Sequence, residues 1–171
     1  MEVVFTNKIE GIDLEKLMDL YDESNRENLS MVKQDSNEKS DKNILYQKVR
    51  DAYKAYLINE FLKSGKNYLA ILKDEKDYLS ALRIYDEGEF FLLEALETNP
   101  KYRRSGYGER LVRAVISLLG KGSEIRSEVA ISNKKSLALH EKIGFKIKKK
   151  EKTAWFYFWK SNRFKLVNID Y

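Results

Sequence analysis

The stretch Thr98-Asn99-Pro100-Lys101-Tyr102-Arg103-Arg104-Ser105-Gly106-Tyr107-Gly108 decides the fold of this chain, because an apolar helical stripe opens directly after it at Leu111. An extended apolar run, a Pro-punctuated turn and an Arg-x-x-Gly-x-Gly segment entering a helix together make a cradle for phosphate. Gly106 and Gly108 lack Cβ atoms, so the backbone can approach a bulky anion and take positive φ where needed. The first N–H groups of the helix have no intrahelical partner, and the helix dipole favours negative charge there. Arg103 and Arg104 add two cations beside the same spot. Two other nucleotide patterns fail. A Walker loop needs Gly-x-x-x-x-Gly-Lys-Ser/Thr, which neither Ser64-Gly65-Lys66-Asn67 nor Gly120-Lys121-Gly122-Ser123 supplies. A Rossmann fingerprint needs a third glycine where Leu111 stands, and a repeated βαβ pattern rather than the hairpin-like run found here.

The 171 residues suffice for one domain, 1–171, with a sizeable core. There is no cysteine, which removes disulfides, thiol nucleophiles and thiolate metal sites. His140 is the single histidine, so no metal is expected. No run approaches the roughly 20 apolar residues of a membrane span, and the first residues do not form a leader. A cytoplasmic protein without membrane partners is expected. Net charge is +5, and residues 142–165 hold nine Lys or Arg against Glu151 alone. That run reads as a solvated Lys-rich strand and loop, or as a steering field for an anionic ligand. Trp155, Phe156, Tyr157, Phe158 and Trp159 beside it invite a nucleic-acid reading. Five consecutive aromatics put rings on both faces of a strand, however, so several belong to the core, and nucleic acid is not expected as a partner.

Along the chain, residues 2–6 read as a strand, and Asp13 caps a first helix with Leu14, Leu17, Met18 and Tyr21 on one face. Residues 22–40 read as a mobile polar loop, with a short helical piece around Leu29 to Val32. A second helix spans about Asn43 to Ser64, stopped by Gly65. Strand-like runs at Tyr68–Leu72, Tyr78–Tyr85 and Phe90–Thr98 are joined by short polar links that suit antiparallel hairpins. A third helix ends at Gly120, a strand covers Ile125–Ile131, a fourth helix covers Asn133 to Ile143, and Phe145 to Trp159 is extended. The expected architecture is α+β, a mixed, mostly antiparallel sheet with about four helices and one parallel crossover through the third helix.

These residues resemble the GNAT superfamily of acyl-CoA-dependent N-acyltransferases. Thr98 to Gly108 is similar to its motif Val-x-Pro-x-Tyr-Arg-Gly-x-Gly-x-Gly. Glu128-Val129-Ala130-Ile131-Ser132-Asn133, then Ser136, Leu139-His140-Glu141-Lys142 and Ile143-Gly144-Phe145, is similar to Glu-Val-x-x-x-Asn-x-x-Ala-x-x-Leu-Tyr-Glu-Lys-Leu-Gly-Phe. This second half locally resembles the ribosomal-protein N-terminal acetyltransferases. The resemblance covers about residues 68–160 well. It implies a single GNAT-like domain with strands four and five splayed apart. It also implies that the backbone of Arg103, Arg104, Ser105, Gly106, Tyr107 and Gly108 holds the CoA pyrophosphate. Leu96, Glu97 and Thr98 would pair their backbone with the pantetheine amides. Asn133 and Ser136, at i and i+3, can both face that arm, although Asn133 also suits a plain helix cap.

Acetyl-CoA is an activated cosubstrate, so catalysis needs a neutral amine near the thioester, a route for its proton, and a proton for the departing thiolate. Glu128 matches the position of the general base in the N-terminal acetyltransferases. Glu94 is the second candidate, placed by alternation on the side of Leu92 and Leu96. His140 departs from the usual Tyr, and three roles stay open: an acid in its cationic form, a base, or a satisfied helix residue. Arg104 replaces the usual Gly. The expected activity is transfer of acetyl from acetyl-CoA to a primary amine by direct attack with general-base help. The alternative is a catalytically inactive acyl-CoA-binding regulatory domain. The acidic residues of 22–41 point to a cationic acceptor, and Tyr46, Tyr53 and Tyr56 could line its pocket. The state is monomer or homodimer, since the C-terminal FKLVNIDY could cap its own sheet or a partner's.

Overall fold

The computed structural model describes residues 1–29, 41–120, 122–150 and 153–159, with side chains described through residue 147. In chain order the elements are β1 (Glu2–Thr6), α1 (Leu14–Leu20), α2 (Asp22–Glu27), α3 (Lys42–Tyr56, ending in a π-helical turn Leu57–Phe61), β2 (Tyr68–Lys73), β3 (Tyr78–Asp86), β4 (Phe91–Thr98), α4 (Tyr107–Leu119), β5 (Glu124–Ala130), α5 (Lys134–Ile143), β6 (Lys146–Lys150) and β7 (Thr153–Trp159). They build one seven-stranded sheet in the order β1-β2-β3-β4-β5-β7-β6. Every neighbouring pair is antiparallel except β4 and β5, the parallel pair joined through α4.

The period-2 alternation of the strands feeds two cores. Leu72, Leu82, Ile84, Leu93, Ile125 and Val129 pack beneath Leu111, Val112 and Val115 of α4 and Leu137 and Ile143 of α5. On the other face, Leu69, Ile71 and Ala81 meet Leu17, Met18, Leu20 and Tyr21 from α1 and its end, together with Leu57 and Phe61. Asp13 caps α1 as expected, accepting from the Lys16 amide at 3.1 Å. Arg50 clasps α3 to α1 through Glu15 and Asp19, both at 2.8 Å, with only 10% of its side chain exposed.

Two local expectations change. Asp22–Glu27 is helical rather than loop, because Asp22 and Arg26 pair one turn apart at 2.8 Å and the Tyr46 hydroxyl donates to Asp22. Residues 30–40 lie outside the described set, and with them most of the helical piece expected at Leu29 to Val32; the terminal FKLVNIDY does too. Finally, strict alternation along β4 fails. Ala95 has φ 51°, and the β3–β4 register slips between Ala81 and Arg83. The bulge reverses the sides: Leu93 and Leu96 both pack in the core under α4, whereas Ala95 packs towards α1. Glu94 therefore shares a side with Leu92 but not with Leu96.

β4 and β5 pair only over Phe91↔Ile125, Leu92↔Arg126 and Leu93↔Ser127. From Glu94 and Glu128 onward the strands diverge, leaving a fork. The Tyr21 hydroxyl, on a side chain 1% exposed, donates to the Ala95 carbonyl at 3.0 Å and pins the bulge. Tyr21→Phe is expected to lower stability by about 1–2 kcal/mol, the cost of a buried carbonyl left unsatisfied. A urea midpoint indistinguishable from wild type would show that this bond does not hold the bulge.

Candidate active site at the sheet fork

The turn after β4 is built from its own sequence. Asn99 is 8% exposed; its side chain accepts from the Lys101 amide at 3.1 Å and donates to the Tyr78 carbonyl at 3.3 Å. Pro100 starts a short 3-10 turn through Tyr102, whose hydroxyl donates to Asp77 at 2.6 Å. Arg104 then takes φ 67° and Gly106 φ 77°. Gly106 is the N-cap of α4, offers no side-chain cap, and accepts the first intrahelical bond from the Arg110 amide at 2.9 Å. The amides of Tyr107, Gly108 and Glu109 are thus without intrahelical acceptors. Gly108 serves a different purpose from Gly106. A Cβ there would stand 3.1 Å from Thr98 Oγ1 and 3.9 Å from Leu96 Cδ2, so its absence lets α4 lie tight against β4.

Arg103, Arg104, Ser105 and Gly106 are exposed, Tyr107 is half-buried and Gly108 is buried. The two arginines are not equivalent. Arg103 is ion-paired with Glu23 of α2, and its Nε donates to the Thr98 carbonyl at 3.4 Å. Arg104 occupies the left-handed region where the GNAT motif carries glycine, a conformation a non-glycine residue adopts at a cost of about 1–2 kcal/mol.

Leu96, Glu97 and Thr98 lie on the part of β4 that has left β5. The Glu97 carbonyl accepts from Ser80 at 2.6 Å, and its carboxylate accepts from the Ser24 hydroxyl on the opposite face. Burial is the main influence pushing the Glu97 carboxyl from 4.5 up to about 7; Ser24 opposes it, and the Glu23 charge reinforces it. Glu94 and Glu128 stand one residue beyond the last paired row on that same face, Glu128 exposed and Glu94 3.5 Å from Arg83. The two candidate bases thus flank the crotch of the fork.

His140 lies on the other face of the sheet. It is 4% exposed; Nδ1 donates to the Ser136 carbonyl at 2.8 Å and Nε2 accepts from the Ser127 hydroxyl at 2.9 Å. Ser127 Oγ also lies 3.2 Å from the Leu93 carbonyl, so this chain of contacts braces the last row joining β4 to β5. Burial holds the imidazole below its ordinary 6.5, outweighing the bond to Ser136. Asn133 caps α5 through the Ser136 amide at 3.1 Å, and the Ser136 hydroxyl is 3.4 Å from His140 Nδ1.

Sequence patterns had no means of finding Tyr21, Ser127 or the Glu97 carboxylate as parts of this site. Only Ser127 left a trace, as a polar interruption of an apolar strand. Asp22 and Glu23, counted as hints of a cationic acceptor, are engaged with Arg26, Tyr46 and Arg103. A cleft of about 320 Å³ beside α1, lined in part by Lys16, Asp19, Asp77 and Lys101, contains none of the expected site residues. Among the described residues, no group of His, Cys, Asp or Glu is arranged to hold a metal ion, and no helix is long and apolar enough to cross a membrane.

This fold is shared with solved N-acetyltransferases. The PaiA N-acetyltransferase of Thermoplasma acidophilum in complex with coenzyme A superposes with a TM-score of 0.64, at 19% identity, over 94% of this chain and 100% of that one. The ribosomal-protein-S18-alanine N-acetyltransferase of Escherichia coli gives 0.61 at 15% identity, over 99% and 100%. The Campylobacter jejuni N-acetyltransferase PseH, in complex with acetyl coenzyme A, gives 0.52 at 17% identity, over 65% and 82%. No curated protein matches the chain in sequence. The family model described as FR47-like protein matches residues 68–156, and the chain belongs to that GNAT-type family.

Because Glu97 holds its proton more tightly folded than unfolded, its contribution to stability is present below pH 4.5 and is lost as pH rises to about 7. Glu97→Gln is therefore expected to stabilise the protein at about pH 8 by on the order of 2 kcal/mol more than at about pH 4. Equal gains at both pH values, measured by urea denaturation, would contradict a buried, protonated carboxyl.

Proposed function

We propose that the chain binds acetyl-CoA and transfers its acetyl group to a primary amine by direct attack. The observation that carries this is the fork: β4 loses its partner beyond Leu93 and runs, unpaired on that side, to the uncapped start of α4. The pyrophosphate would rest on the amides from Arg103 to Gly108, aided by Arg104. The pantetheine arm would add to the free edge at Leu96, Glu97 and Thr98, as a strand adds to an open sheet. The Asn133 amide group, its oxygen already used in capping, would reach the same arm.

That path ends at the crotch, where Glu94 and Glu128 face the acceptor side. The amine nitrogen forms a bond to the acetyl carbon, the carbon–sulfur bond breaks, and one proton leaves the amine while one reaches the sulfur. Glu128 is exposed and can receive the amine proton through water. Glu94, 3.5 Å from Arg83, is the second candidate base. His140, neutral and held at both nitrogens, orders the fork through Ser127 and Leu93 rather than supplying a proton. With no cysteine in the chain, an acetyl-thiol enzyme intermediate has no place to form.

Thiol release from acetyl-CoA across a panel of amines tests this reading. Turnover with at least one amine is expected, and Glu128→Gln should reduce kcat by about 10²–10⁴-fold while coenzyme A affinity is kept. Coenzyme A binding without turnover of any amine would instead favour a non-catalytic acyl-CoA-binding domain. Full activity in Glu128→Gln would remove Glu128 as the base. For His140, His140→Gln is expected to lower stability without displacing the pH midpoint of kcat; a displaced midpoint would assign it a proton-transfer role.

A further inference from the structure

We propose that the acceptor amine also carries a carboxylate, which docks on Arg83; this deepens, and rests on, the acetyltransferase reading above. Arg83 on β3 stands directly across the sheet from Glu94, at the crotch of the fork and on the acceptor face. The rings of Tyr53, Tyr56, Phe61 and Tyr85 surround it, with centroids 5.3 to 5.8 Å from its guanidinium carbon. Only 16% of the side chain is exposed.

Within this cage the guanidinium is under-used. It offers five N–H donors in a rigid planar fork, yet its side chain donates no hydrogen bond among the described residues. Among the described residues Nε is buried without a hydrogen-bond partner, and the one ionic contact, Nη2 to Glu94 Oε2, is long at 3.5 Å. Aromatic faces attract the charge but cannot accept all of these protons in the plane of the fork. A carboxylate can take two of them, since its two oxygens match two parallel donors. The neighbouring Glu94 and Glu128 then remain for the amine.

The arrangement also argues against a purely cationic acceptor. A polyamine in this cage would meet a buried like charge at Arg83, and Asp22 and Glu23 of α2 are already paired with Arg26 and Arg103. Because Arg83 and Glu94 are cross-strand neighbours, about 5 Å apart at Cα, the acceptor is compact, with amine and carboxylate a few bonds apart. An amino acid or short amino carboxylate has that form.

The test uses the full chain, acetyl-CoA, and three matched sets of acceptors: short amino carboxylates, their methyl esters, and diamines of equal length. The carboxylates are expected to exceed both other sets in kcat/KM by at least roughly thirtyfold, as for loss of one partner of a buried charge pair. Arg83→Gln should erase that preference, and Arg83→Lys, which keeps the charge but not the fork, should retain part of it. Diamines or esters turned over as well as the carboxylates would overturn the docking role while leaving acetyl transfer intact. A preference that survives in a folded Arg83→Gln or Arg83→Lys protein would likewise overturn it. Coenzyme A binding with no turnover in any set would overturn the enzyme reading and this inference together.

Discussion

The site depends on one strained residue. Ala95 sits at φ 51°, a conformation that costs a non-glycine residue of order 1–3 kcal/mol and persists only where surroundings over-determine it. Here those surroundings are the Tyr21 hydroxyl on the Ala95 carbonyl and the core packed beneath α1. The bulge does two things at once. It turns Leu96 under α4 after Glu94 has pointed the other way, and it coincides with the departure of β4 from β5. Without it, strict alternation would carry Glu94 and Leu96 to the same side.

The fork separates two chemistries across one sheet. On the α4 side lie the uncapped helix start, the Gly108 close approach, and the neutral His140 bracing Ser127. On the α1–α3 side lie Glu94, Glu128 and the proton-retaining Glu97, with the caged Arg83 among them. The Arg103–Glu23 ion pair and the Ser24–Glu97 bond connect the two regions through α2. The short helix that the sequence disguised as a polar loop is therefore a wall of the site, anchored from both sides.

Much of the frame was legible from residue pattern. Hairpin spacing and helical periodicity placed most of the strands and helices, whereas the fork came only with the family resemblance that the Thr98–Gly108 and Glu128–Phe145 motifs carry. What escaped was physical in origin. A bulge at an alanine carries no sequence mark, since glycine is the usual sign of positive φ. Asp22 to Glu27 has no apolar stripe to betray a helix, because its order comes from an Asp22–Arg26 pair and from the Tyr46 hydroxyl of α3. Nothing in the residue pattern singles out Arg83, a lone charge in an apolar strand; the convergence of rings from α3, its terminal turn and β3 makes it a buried cation.

The most direct test of the account is amide hydrogen exchange with and without coenzyme A. Slowed exchange is predicted at the amides of 96–98 on the free edge of β4 and of 106–109 at the start of α4, with β1 and β2 unchanged. Protection confined to other elements, or none at saturating coenzyme A, would contradict the assignment of the fork as the acyl-CoA site.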